Sequence, residues 1–183
     1  MRGDAYEGIH KDHPGNDFVL ENLTQSTRFI GKYSYLNSTN SDYIFAFCLS
    51  ECKSYKLMDE FECDACIEFF EPEEFIRRVR FKLARLISVH SVGLLAQSVY
   101  YYNPLQPSLF DIKDPKNLAF VKNMSYVEQS EFRLSFGNRR AFKLIQQIAQ
   151  PHPDPYNDAL KGECKDKLIR VGSLNDIARY IAL

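Results

Sequence analysis

From Glu131 to Phe136 the chain alternates without a break. Phe132, Leu134 and Phe136 fall on one face of an extended strand, and Glu131, Arg133 and Ser135 on the other. A period of two does not fit a helix, so this stretch dictates a strand with one apolar face, and a sheet that another element must cover. Glu128 and Glu131 stand three residues apart at its start, with Gln129 between them. On the plain reading this is a half-buried strand with a charged outer face, where Glu131 and Arg133 form an ion pair that needs no chemistry. On the functional reading it is an active-site strand. Glu131 then stabilises an oxocarbenium-like centre or accepts a proton, and Gln129, two residues earlier on the same face, orients the nucleophile.

The 183 residues suffice for one domain with a sizeable core. The expected organisation is a polar lead-in over residues 1–27, then a single α+β domain over 28–183. That domain is expected to hold a mixed sheet of about five strands with packed helices. Residues 28–36 suit a strand or a short helix, and Asn37 to Asp42 has the composition of a loop. Tyr43 to Ser50 is nearly continuous in apolar residues, which predicts a central strand covered on both faces and ending in the Ser50 hydroxyl. A short helix over 54–61 and a buried strand over 65–70 follow.

Pro72 suits the first turn of the next helix, and Glu73 and Glu74 suit its positive dipole end. Phe75, Ile76, Val79, Leu83, Leu86 and Ile87 form its apolar stripe, and Arg77, Arg78, Arg80, Lys82 and Arg85 its solvated face. The remaining expectations are a strand over 98–102, an irregular connection over 104–117, and helices over 115–123 and 141–150. A last strand over 167–172 leads to a terminal helix capped by Ser173.

Charge and cysteine usage narrow the function classes. Twenty-three Lys and Arg against 24 Asp and Glu leave a formal net charge of −1, without the basic surplus of a domain that lives on nucleic acid. No run approaches a membrane span, and the first residues lack the apolar core of a signal peptide. A cytoplasmic protein with no membrane partner is expected, and five cysteines, an odd count, then read as reduced thiols. Cys48/Cys52 and Cys63/Cys66 approach zinc-ribbon spacing. Because Cys48 and Cys66 fall in apolar strands, where cysteine packs as a small hydrophobe, no metal site is expected. Cys164 stands alone. The eight glycines form neither a P-loop nor a dinucleotide fingerprint.

A series of short motifs spans residues 44–136. It runs from Cys48-Leu49-Ser50 through Leu57 and Phe61 to Cys66-Ile67-Glu68-Phe69, then Val99-Tyr100-Tyr101 and Lys122…Tyr126…Glu128…Glu131-Phe132-Arg133. This order resembles an uncharacterised bacterial family of the domain-of-unknown-function type, with a Cys-x-Ser-like strand and a Glu-x-x-Glu-(aromatic)-Arg stretch. That family's opening arginine-bearing strand and Phe-Asn-Asp-Pro segment have no counterpart here. More distantly, an early basic residue, a serine closing a strand and a glutamate on a later strand are similar to the layout of ADP-ribosyltransferases. The resemblance implies an NAD-using transferase, acting in bacterial or phage conflict. Glu131 would be catalytic, Gln129 would position the acceptor, and Ser50, Tyr33 and Arg28 would line the NAD site. The alternative from a different class is a non-catalytic inhibitor or immunity protein. It would grip a protein partner through its 14 Phe and 11 Tyr and the charged helix from Arg77 to Arg85.

Overall fold

The computed structural model describes residues 8–13, 18–22, 24–151 and 167–182. In chain order the strands are β1 (Ile9–Asp12), β2 (Phe18–Asn22), β3 (Thr27–Gly31), β4 (Tyr33–Thr39), β5 (Ile44–Ser50), β6 (Ala65–Phe69), β7 (Leu95–Ser98), β8 (Tyr100–Tyr102), β9 (Val121–Asn123), β10 (Glu131–Gly137), β11 (Leu144–Pro151) and β12 (Ala178–Ala182). Two α-helices, α1 (Tyr55–Phe61) and α2 (Pro72–Leu83), and three short 3-10 segments complete the described elements. The result is a single α+β domain, assembled from several small sheets in place of one of about five strands. Two are antiparallel triplets, β1-β4-β11 and β5-β10-β7; β2-β3 and β6-β12 are antiparallel pairs, and β8-β9 is parallel. Among the described residues no helix is long and apolar enough to cross a membrane.

The alternating strand is β10, and it lies at the centre of its sheet. Leu134 and Phe136 pack into a core with Phe75, Val79 and Leu83 of α2, and the Phe136 ring stacks on Phe45 at 5.2 Å. Helix α2 begins as its residues dictate, with Pro72 in the first turn and Glu73 and Glu74 beside it. It ends at Leu83, so Leu86 and Ile87 lie beyond the buried stripe and are exposed. Glu74 holds Arg77 and Arg78, and Arg78 reaches on to Asp176 and the Ser173 carbonyl, fastening the C-terminal segment to the helix.

The polar face of β10 is not a solvated one. Glu131 is 5% exposed, Arg133 1%, and Ser135 fully buried. A 3-10 turn at Asn117–Phe120 covers them, and the Arg133 Nη1 donates to the Ala119 carbonyl at 2.7 Å. Only a satisfied charge can lie so deep, and this face is organised around its ion pairs.

Elsewhere tertiary pairing overrides local appearance. Residues 141–150, rich in helix formers, instead supply β11, which pairs with β4 from Leu144↔Thr39 to Pro151↔Tyr33. The loop-like Asn37, Ser38 and Thr39 are the buried end of β4, which is hydrogen-bonded on both sides. Strand β5 is an edge, not a central strand, with Phe47 and Cys48 exposed. Among the described residues strand β6 pairs only with β12, and its Ile67 is exposed. The segment after Ser173 makes a turn and then β12, not a helix, and 167–172 form no regular element. Within 115–123 the structure has the short turn and β9 in place of one helix. The polar lead-in contributes β1 and β2, with the side chain of His10 fully buried.

Gly137 marks where β10 meets the turn behind it. An added Cβ would stand 2.0 Å from the Ala141 Cβ and 3.0 Å from the Tyr43 carbonyl oxygen. Gly137→Ala is expected to cost about 2–3 kcal/mol through overpacking. A thermal-unfolding midpoint lowered by roughly 4–12 °C would register it; an unchanged midpoint would show that the turn can give way.

Candidate functional site

The site forms where β5 ends and β10 begins. The 3-10 segment Met124–Gln129 is capped by Asn123, whose side chain accepts from the Ser125 amide at 2.9 Å. It closes at Ser130, a left-handed residue with φ of 41° and ψ of 54°, whose amide donates to the Val127 carbonyl at 3.1 Å. This sharp reversal feeds the chain into β10, and the Ser130 carbonyl accepts the Glu51 amide at 2.7 Å. Glu131 is thereby registered directly opposite Ser50, and Arg133 opposite Cys48. Directly opposed residues share a sheet face, so Ser50, Cys48, Glu131 and Arg133 belong to one surface.

On that surface the buried carboxylate is gripped from two sides. Arg133 Nε donates to Glu131 Oε1 at 2.7 Å, and Lys122 Nζ to Glu131 Oε2 at 3.1 Å. Lys122 also donates to Gln129 Oε1 at 2.7 Å, and Gln129 Nε2 donates to Glu60 Oε1 at 2.6 Å, linking α1 to the cluster. The Lys122 ammonium lies 4.9 Å from the centre of the Tyr126 ring, a cation–π contact. The Glu131 amide donates to the Tyr101 hydroxyl at 2.8 Å. Ser50 Oγ lies 2.7 Å from the Cys52 carbonyl and 2.9 Å from the Gln129 carbonyl, sharing its one proton between them. Cys48 and Ser50 are exposed at the edge of this surface, while Ser98, registered opposite Phe132 and so on the other face of the sheet, donates to Glu51 at 2.8 Å.

Electrostatics settle which form the carboxyl takes. Burial pushes Glu131 upward. The hydrogen bond and charge of Arg133, a hydrogen bond from the Cys48 thiol and the charge of Lys122 together outweigh that, so Glu131 lies below the ordinary carboxylate range. Burial and the neighbouring Glu131 charge raise the Tyr101 hydroxyl. A carboxylate so held is ionised at neutral pH. It can stabilise a cationic centre but cannot serve there as a general acid.

Of the residues singled out in the sequence, Ser50, Gln129 and Glu131 come together, and so does the Glu131–Arg133 ion pair. Arg28 lies in the β2-β3 hairpin, exposed and 3.9 Å from Glu21. Tyr33 opens β4 in another sheet, across from Pro151. Lys122, Glu60 and Tyr101 were not singled out as site residues. The first stands nine residues before Glu131 within the motif series and Tyr101 closes another of its motifs, whereas nothing local marks Glu60. Cys52 and Cys63 are exposed and Cys66 is half-buried; Cys164 lies outside the described residues. Among the described residues no three metal-binding side chains gather in one place. Compared with protein-family models, with curated proteins and with solved structures, the chain matches none.

Proposed function

We propose that this cluster is the reaction centre of an ADP-ribosyltransferase-like enzyme that uses NAD, working in the cytoplasm in bacterial or phage conflict. The observation that supports the reading is the register placing Ser50 directly opposite Glu131, with the Gln129 carbonyl accepting from Ser50 and the Gln129 side chain sharing Lys122 with Glu131. As the bond from ribose to nicotinamide breaks, its electron pair leaves with nicotinamide and positive charge gathers on the ribose. Glu131, held ionised, stabilises that charge. Ser50 contacts the nicotinamide ribose at the exposed rim, and Gln129 orients the acceptor. Arg28 and Tyr33 lie in other sheets, and the reading does not rest on them.

Calorimetry with NAD and a nicotinamide-release assay test the reading on wild type, Ser50→Ala and Glu131→Gln. NAD is expected to bind in the micromolar range. Ser50→Ala should weaken binding by roughly fivefold to tenfold, the worth of one hydrogen bond. Glu131→Gln should lower nicotinamide release by about 100-fold or more while folding is retained. Wild-type protein that gives neither heat nor nicotinamide would remove the activity as a property of this chain.

One observation favours the non-catalytic reading. Both Glu131 oxygens are taken up by Arg133 and Lys122, an arrangement that serves as a structural anchor without any substrate. On that reading Glu131→Gln changes stability alone, and the wild type captures a protein partner without consuming NAD.

A further inference from the structure

The two ends of β10 carry surfaces of opposite character. Past Gly137, the turn after the strand meets the turn after α2, where Arg139 Nε donates to the Ile87 carbonyl at 3.0 Å. Ile87 is 83% exposed there, with Leu86 and Phe81 also exposed and the Arg85 guanidinium 3.9 Å over the Phe81 ring. Arg77 and Arg78 are tied to Glu74, but Arg80, Lys82, Arg85 and Arg139 have no ion-pair partner among the described residues. From Phe75 to Phe110 the sequence holds no acidic residue. A cationic end with bare aliphatic side chains results.

Before Glu131, at the other end, lies α1, joined to the strand's approach through Glu60 and Gln129. Its Tyr55 and Phe61 are 76% and 62% exposed, and Asp59, Glu60, Glu62 and Asp64 are exposed around them. Glu62 has a φ of 50°, which ends the helix abruptly and leaves this rim facing water.

The Arg85–Ile87 end is cationic, and the α1 end is net acidic: Asp59, Glu60, Glu62 and Asp64 outnumber Lys53 and Lys56, of which Lys56 is paired with Glu128 at 3.3 Å. The seven residues of β10 hold the two ends about 20 Å apart. That exceeds the screening length of about 8 Å at physiological salt, so within one chain neither end compensates the other. The net charge of −1 hides this separation. We propose that the chain associates head to tail with a second copy of itself, the Arg85–Ile87 end of one copy seating on the Tyr55–Phe61 end of the next. Exposed Phe and Ile supply the desolvated centre of the contact, and the surrounding charges set its polarity and salt dependence. Such a contact uses different surfaces on the two partners and so continues into a ring or a short chain of copies. It is independent of the NAD reading.

Sedimentation of the full chain, with two doubly substituted variants, tests it. Wild type is expected to gain mass as concentration rises to about 100 µM at low salt, and to return to monomer as salt approaches about 0.5 M. Arg85→Glu/Ile87→Glu loses the cationic end and should remain monomeric. Phe61→Lys/Glu62→Lys loses the acidic end and should do the same. Mixed in equal amounts, the two variants retain one intact surface each and should form a discrete 1:1 dimer that goes no further. A wild type that stays monomeric at low salt would overturn the proposal. So would association that survives either pair of changes, or a mixture that fails to recombine.

Discussion

Arg133→Met is expected to lower stability by about 3–5 kcal/mol, a large part of what holds a domain of this size folded. The cost does not come from losing an attraction as such. It comes from what remains: Glu131 stays buried with Lys122 and Cys48 to support its charge, and the Ala119 carbonyl loses the Arg133 donor. Glu131→Gln should also destabilise, because it leaves the Arg133 and Lys122 cations facing each other without the carboxylate between them. The double variant Glu131→Gln/Arg133→Met removes one charge of each sign. It should recover much of the loss, and coupling of about 2 kcal/mol or more in that cycle is the expected signature of a buried pair. Urea unfolding with an unchanged slope measures each corner. The wild type adds a pH signature. Because the Glu131 pKa is lowered on folding, its contribution is complete above the ordinary carboxylate range and is lost as pH falls through the depressed value. If Arg133→Met costs less than about 1 kcal/mol, this face is wet, as an exposed ion pair would be.

That test bears on how far the fold can be read from residues. Strand β10 was legible because alternation is local: the backbone period alone sorts Phe132, Leu134 and Phe136 from Glu131, Arg133 and Ser135. Helix α2 was legible for the same reason, through Pro72, Glu73, Glu74 and the spacing of Phe75, Val79 and Leu83. Which face of β10 is the drier was not legible. It depends on a turn at Asn117–Phe120 that arrives from elsewhere in the chain. Strand β11 was missed because Lys143 to Gln150 makes an acceptable helix in isolation, and only the distant edge of β4 decides otherwise.

The candidate site divides along the same line. Gln129 and Glu131 share a face because they are two residues apart, and the ion pair from Glu131 to Arg133 follows from the same rule. Ser50 joins them only through the register of β5 against β10, which brings together residues about 80 positions apart in sequence. Glu60 joins through the docking of α1 on Gln129, for which no local pattern exists. Charge separation was half legible: the acid-free run from Phe75 to Phe110 is plain in the sequence, but its placement opposite α1 is a property of the fold.

A second large effect is expected at the buried end of β1, and there it takes the form of two opposed pH dependences. His10 is fully buried, its ring 4.4 Å from Tyr102 and edge-on to Phe110 at 5.3 Å, and among the described residues neither ring nitrogen has a hydrogen-bond partner. Burial pushes its pKa from the ordinary 6.5 to about 4. The unfolded chain therefore takes up a proton that the folded one refuses. Stability falls as pH drops from 6.5 to 4, by up to about 3 kcal/mol. Asp12, two residues on and also buried, works in the other direction. Burial raises its carboxyl from 3.8 to about 6 against a hydrogen bond from the Ser108 amide, so stability falls as pH rises from 3.8 to 6. Between about pH 4 and 6 the two slopes oppose one another, and the wild type should show little net dependence from this pair. Separating them exposes each. Asp12→Asn should become steadily more stable from pH 4 to 6.5, by up to about 3 kcal/mol, while His10→Phe should lose stability over pH 4 to 6. His10→Phe also removes two unpartnered buried nitrogens, so its stability near pH 5 should equal or exceed that of the wild type. Urea unfolding at half-unit intervals from pH 4 to 7 resolves all three curves. A flat profile for Asp12→Asn would mean that His10 titrates as it does in water, and that the packing of β1 against Tyr102 and Phe110 does not exclude solvent.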